Sequence, residues 1–197
     1  MYQSLSFSRS WFTFLFSAVW ILTGYSQPQQ AFSQQNEAAI SAQPRQQPLV
    51  VFLVRHAEKV DDSQDSELST GGKARADQLA KVLSGCDIQH VHSTDFHRTK
   101  NTAKPTADLF GLEIETYDAE NLPATAEQMR SVGGRHLVVG HSNTVPSMVT
   151  SLGGDPGLAI AEGEFDRLYV VLIDQGGNTT SLPMRYGSFF VAPAGGQ

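Results

Sequence analysis

Two histidines and two arginines carry the strongest chemical signal in the chain. Arg55-His56 closes an unbroken apolar run that begins at Leu49. His141 stands in Gly140-His141-Ser142-Asn143, directly behind a second run, Leu137 to Val139. Arg98 lies behind Ser93-Thr94-Asp95-Phe96-His97, where the pattern changes from strand to helix. Apolar runs without alternation mark strands buried on both faces, and open α/β sheets bind ligands beyond the carboxyl ends of such strands. Four groups on three strand ends are therefore expected to converge at one edge of a sheet. Guanidiniums fork onto phosphoryl oxygens and helix N-termini add N–H donors, so the constellation reads as a phosphate site. Arg98 supports this reading, because a cation in the first turn of a helix opposes the dipole unless an anion sits there too.

The elements needed to position these groups are legible in the periodicity. Thr70 to Ser84 predicts a helix with Ala76, Leu79, Ala80 and Leu83 on one face. Ile88 to Ser93 predicts a strand, and Asp95 is placed to cap a helix reaching Phe110, with Pro105 expected to kink it or shift its start. A short strand over Glu113 to Tyr117, a helix over Ala124 to Val132 and a helix over Thr144 to Leu152 with Pro146 in its first turn follow. Phe165 to Asp174 and Asn178 to Gly187 predict two strands joined at Gly176-Gly177. Alternating strands and helices give an α/β fold, a three-layer α/β/α sandwich around a largely parallel sheet.

Composition excludes several classes. With 14 Lys+Arg against 20 Asp+Glu the net charge is −6, which argues against nucleic acid as a partner. Cys86 is the single cysteine, so neither an intramolecular disulfide nor a Cys-rich zinc site can form; after Gly85 and before Asp87 it reads as inert. Residues 1–33 join Arg9 to the apolar run Trp11 to Leu22 and end in Ala31-Phe32-Ser33, the pattern of a secretory signal peptide or an N-terminal anchor. The run is short of the about 20 residues a membrane span needs. The expectation is an exported protein, periplasmic or extracellular. Residues 34–47, rich in Gln, Ser, Pro and Ala, read as a linker, and the folded domain is expected over 48–190.

Four segments also resemble those of the histidine phosphatase superfamily, the phosphoglycerate-mutase-like proteins. Leu53-Val-Arg-His-Ala-Glu58 is similar to its Arg-His-Gly/Ala-Glu motif, and Leu68-Ser-Thr-Gly-Gly72 with Arg75-Ala76 resembles its next segment. Ser93 to Ala103 resembles the arginine-bearing helix start, and Val139 to Pro146 the second-histidine motif. Together they run from about Leu49 to Leu152 in the family's order.

The resemblance implies a phosphoglycerate-mutase-like fold and a mechanism. His56 would take the phosphoryl group as nucleophile, with one ring N–H held by a carbonyl and the other nitrogen free. Arg55, Arg98 and His141, with Ser142 beside it, would bind the substrate's oxygens, and no metal or cofactor would be needed. The substrate would be a phosphorylated small molecule or phosphoprotein. Where many members carry a glutamate two residues behind Leu122, this chain has Ala124. Asp118, then Glu120, are the acids expected in its place; a third option is no dedicated acid, as in the compact phosphohistidine phosphatases.

Other groups have plainer readings. Glu58 could serve as an acid or base, but beside Arg55 it is expected to be a structural ion-pair partner. His90, His92 and His97 could outline a zinc site, but without a carboxylate or thiolate at ligand spacing they read as ordinary histidines, and His136 as the start of a strand. Asn178-Thr-Thr180 matches a glycosylation sequon at chance level. A phospho-ligand binding module without turnover and a phosphoglycerate-type mutase are the alternative functions.

Overall fold

The computed structural model describes residues 47–189. The signal-peptide or anchor reading of residues 1–33 and nearly all of the linker lie outside the described residues. Among those described, no helix is long and apolar enough to cross a membrane.

Six strands form one sheet. In chain order the elements are β1 (Leu49–Arg55), α1 (Thr70–Leu83), β2 (His90–Ser93), α2 (His97–Phe110), β3 (Ile114–Thr116), α3 (Leu122–Val132), β4 (Gly134–Gly140), α4 (Thr144–Ser151), β5 (Arg167–Ile173) and β6 (Thr179–Arg185). The strand order is β3-β2-β4-β1-β5-β6. The first four neighbours are parallel, while β5 and β6 add on antiparallel through the predicted hairpin. The largely parallel sandwich is thus observed, as a mixed sheet.

The buried strand β1 explains the layers. Leu49, Val51 and Leu53 face one side, where they meet Val138, Met129 of α3 and Met148, Val149 of α4. Phe52 and Val54 face the other, against Leu79 and Leu83 of α1 and Ala103 and Ala107 of α2. Each fully buried side chain of this kind stabilises the fold by about 1.5–3 kcal/mol. Two apolar faces demand two helical layers, and the continuous Leu49 to Val54 run is their cause.

Register then places the chemistry. Arg55 pairs with Gly140 across β1 and β4, and Val139 pairs with Ser93 across β4 and β2. The next residues on the three strands, His56, His141 and Thr94, therefore leave the sheet side by side. Two glycines permit close approach around them. A Cβ on Gly72 in the first turn of α1 would strike the Glu58 carbonyl, and one on Gly140 would meet the Tyr117 and Thr144 hydroxyls at 2.6 and 2.7 Å.

One local expectation needs correction. Asp95 does not cap α2: its carboxylate pairs with Lys100, and Phe96 holds the cap position without a side-chain bond. The His97 N–H is instead taken by Asp65 at 2.7 Å, from the loop before α1. Pro105 leaves α2 continuous from His97 to Phe110, and the start stays next to the predicted one. The α1 cap follows ordinary rules, with Ser69 Oγ accepting the Gly72 N–H at 3.0 Å.

Candidate active site

His56 is fixed by its neighbours on both sides. Its backbone N–H donates to Gly140 O at 2.8 Å, extending the β1–β4 ladder past the strand end. Its Nδ1 lies 2.8 Å from Ala57 O. A carbonyl can only accept, so Nδ1 carries the proton and Nε2 keeps its lone pair. The Ala57 N–H donates to Thr102 Oγ1 at 2.9 Å, and that hydroxyl donates to Arg98 O at 2.7 Å. One threonine on α2 thus links the peptide behind His56 to the residue that carries the second guanidinium.

The other three predicted groups surround it. The His56 and His141 rings stand edge to face with centroids 5.4 Å apart. His141 Nε2 is 2.9 Å from Thr94 Oγ1, and its N–H donates to Thr144 Oγ1 at 2.8 Å. Arg55 donates from Nη1 to the carbonyls of Ala161 and Glu162 at 3.0 and 2.5 Å, and Phe165 stacks on its guanidinium at 4.2 Å. Arg98 donates to Gln64 O at 2.8 Å and lies 4.3 Å over the Phe96 ring, which packs edge-on against His141. The uncapped start of α2 has its explanation here: the cap position is occupied by the ring that braces Arg98 and His141. Ser142 is half-buried just before α4.

The arginines of the site differ from those elsewhere. Arg75, Arg135, Arg167 and Arg185 each pair with a carboxylate. Arg55 and Arg98 are held instead by carbonyls and ring faces, which orient a cation without neutralising it. Both Nε atoms are buried without a hydrogen-bond partner. On an acidic protein, two such guanidiniums beside two imidazoles make a local concentration of cations suited to an anion.

Burial, with the same charges behind it, keeps the imidazoles neutral. Burial, then Arg55, His141 and Arg98, push His56 down to about 3 against the pull of its Ala57 bond. Burial, then Arg98 and Arg55, push His141 down to about 4. Burial also lowers both arginines from their usual range. Because the unfolded histidines protonate near 6.5, the unfolded chain binds more protons between that pH and the folded values. The contribution of these groups to stability is present above about 6.5 and is lost as pH falls toward 4.

The remaining predicted residues lie apart. Glu58 pairs with Arg75 rather than Arg55, its oxygens 2.9 and 3.0 Å from Arg75 Nε, and Arg75 also reaches the carbonyls of Tyr186 and Ser188. Asp118 is exposed and accepts the Glu120 N–H at 2.9 Å. It lines a cavity of ≈ 240 Å³ with His92, Glu115, Asn121 and Gln128, to which none of Arg55, His56, Arg98 and His141 contributes. Glu120 is exposed as well.

His97 sits between Asp65 and Glu67, away from His90 and His92. The latter two stack with His136, whose Nδ1 is 2.9 Å from His92 Nε2 and whose Nε2 donates to Gly133 O. Among the described residues no group of three or more His, Cys, Asp or Glu is arranged to hold a metal ion. Sequence reasoning did not single out Phe165, Thr94, Thr102 or Arg75 for these roles. Thr94, Thr102 and Arg75 lie within the segments that carry the resemblance, and Thr102 also stands four residues from Arg98 on one helix face, whereas Phe165 had no signal.

An imidazole with one nitrogen tied to a carbonyl, set among cations with neutral hydrogen-bond partners at the strand ends of an α/β sandwich, has the chemistry to hold and attack a phosphoryl group. Residues 51–119 match the family model of the histidine phosphatase superfamily (branch 1). A stretch of 75 residues is 36% identical to the probable phosphoglycerate mutase GpmB of Yersinia enterocolitica, covering 34% of this chain and 35% of that protein. The corresponding Salmonella choleraesuis protein is 35% identical over 78 residues, 36% of either chain. The match thus spans about a third of the length of these curated relatives.

Two solved structures share the fold. The protein histidine phosphatase SixA complexed with tungstate gives a TM-score of 0.57 at 24% identity, covering 70% of this chain and 97% of that one. A mycobacterial glucosyl-3-phosphoglycerate phosphatase gives 0.55 at 14%, covering 71% and 99%.

Two predictions follow from this geometry. Replacing Arg98 with Lys keeps the charge but loses the fork and the stacking on Phe96, so turnover of a phosphate ester falls by about 10²-fold with little change in thermal midpoint. Steady-state rates and thermal melts on one preparation check this, and an unchanged rate removes Arg98 from the site. Because His56 and His141 titrate near 3 and 4, kcat/KM shows no break near 6.5 from pH 7 down to about 5. The profile is read after allowance for the ester's own ionisation near 6. An enzyme ionisation near 6.5 contradicts the assignment.

Proposed function

We propose that the protein is a metal-independent phosphatase that passes the phosphoryl group through His56. The observation that carries this reading is the Nδ1 bond of His56 to Ala57 O, which leaves Nε2 free to attack. In the first step the Nε2 lone pair forms a P–N bond and the P–O ester bond breaks, the leaving oxygen taking a proton from water. In the second, water attacks phosphorus, the P–N bond breaks, and phosphate and a neutral imidazole are released. Arg55, Arg98 and His141 stabilise the charge on the non-bridging oxygens at both steps, with Ser142 beside them.

The exposed, separately engaged Asp118 supports a reaction without a dedicated acid from that position. The substrates this favours are phosphorylated small molecules or phosphoproteins with good leaving groups, aryl esters and phosphoramidates such as phosphohistidine. A site working outside the cytoplasm fits the sequence of residues 1–33. A binding module would use the arginines equally well but has no use for a free Nε2 among them. The names of the curated relatives favour a mutase as the second reading, but a mutase must also hold its substrate while that turns over, and the described domain of residues 47–189 leaves little chain for that.

The test is hydrolysis of an aryl phosphate in the presence of a chelator. Wild-type protein is expected to release phosphate, His56→Ala to fall to background, and neither to interconvert phosphoglycerates. Full activity in folded His56→Ala, or abolition by the chelator alone, overturns the proposal.

A further inference from the structure

The irregular strap between α4 and β5 supplies most of what holds Arg55. The carbonyls of Ala161, Glu162 and Glu164 lie 3.0, 2.5 and 3.3 Å from its Nη1, and Phe165 stacks on its guanidinium. Carbonyl dipoles aimed at one nitrogen repel each other, so the strap must be held from behind. Glu164 does this. Its side chain is 3% exposed, and its Oε2 accepts the Ala161 N–H at 3.0 Å. Its two oxygens take Arg167 Nε and Nη2 at 2.7 Å each, with Arg185 Nη2 at 3.0 Å from Oε1.

Arg167 carries the connection further along the strap. It donates to the carbonyls of Leu158 and Ala159 and to the Tyr169 hydroxyl, which in turn donates to Pro156 O at 2.8 Å. The strap from Pro156 to Glu164 is thereby stitched to one buried carboxylate. Stability alone is a weak reason for this arrangement, because well-packed apolar residues commonly stabilise as much as a buried ion pair does. Orientation is the stronger reason, and the group being oriented is Arg55.

We infer that Glu164 is a positioning residue of the phosphate site, fixing the strap whose carbonyls aim the Arg55 guanidinium at the phosphoryl group. It rests on the reading of His56, Arg55 and His141 as a phosphoryl site, and Glu164 itself touches no substrate.

A double-mutant cycle separates positioning from general support. The readouts are calorimetric Kd for inorganic phosphate, kcat/KM on an aryl phosphate, and the thermal midpoint of each variant. Glu164→Gln is isosteric and keeps an acceptor for Ala161 but loses the charge. It is expected to weaken phosphate binding and lower kcat/KM by about tenfold each, within the range for members of one hydrogen-bond network. In an Arg55→Ala background the same change is expected to shift phosphate Kd less than twofold. Arg167→Lys serves as the second probe of the strap and is expected to behave alike.

Equal losses in both backgrounds, or full phosphate affinity in folded Glu164→Gln, overturn the inference. Failure of both Glu164→Gln and Arg167→Lys to fold makes the carboxylate structural and overturns it too. A wild-type protein that binds phosphate but hydrolyses no ester contradicts the phosphatase reading alone, while the phosphate cycle still decides on Glu164. A wild-type protein that binds no phosphate overturns both.

Discussion

The hydrogen bond from His56 Nδ1 to Ala57 O sets the chemistry of the site, and much of the surrounding structure maintains it. A carbonyl fixes the tautomer, and the tautomer decides which nitrogen can attack. That carbonyl is held in turn because the Ala57 N–H is bound to Thr102 Oγ1 on α2. On its other flank Glu58 is clamped to α1, through the bond from Ser69 N–H to its carbonyl and the Arg75 pair on its carboxylate. The close approach of Gly72 makes this clamp sterically feasible. Two helices of one layer therefore grip the three residues that follow β1.

Electrostatics add the second constraint. The chain is acidic overall, yet the site gathers two guanidiniums whose partners are neutral. Carboxylates in those places would hold the side chains as firmly but would cancel the charge that an anion needs. Burial first, and these guanidiniums behind it, depress the titration of both histidines, which is the state a nucleophilic imidazole would require. The helix start at Phe96 shows the same compromise. A side-chain cap there is worth about 1 kcal/mol, and the position is given to a ring that braces Arg98 and His141.

Sequence periodicity revealed the sheet because β1 and β4 are apolar on both faces, and it singled out Arg55, His56 and His141 because each stands at a strand end, and Arg98 because it opens the helix behind β2. What it missed depends on long-range contact. Glu58 lies three residues from Arg55, but a strand end points such neighbours apart, and its partner Arg75 comes from α1. Phe165 and Glu164 belong to an irregular strap with no motif, and only the folded chain brings them to Arg55. Asp118 follows a strand end as His56 and His141 do, but β3 is the edge strand, and the carboxylate turns to its own loop. The His90, His92 and His136 stack needs the β2–β4 pairing, in which His90 faces His136.

The most direct test of this account is the position of phosphate on the trapped enzyme. Protein quenched during turnover of an aryl phosphate should carry acid-labile phosphate on His56, and phosphorus NMR of the denatured chain should identify the Nε2 isomer. Phosphate on Nδ1 of His56, or on another residue, would contradict the tautomer from which the mechanism is built.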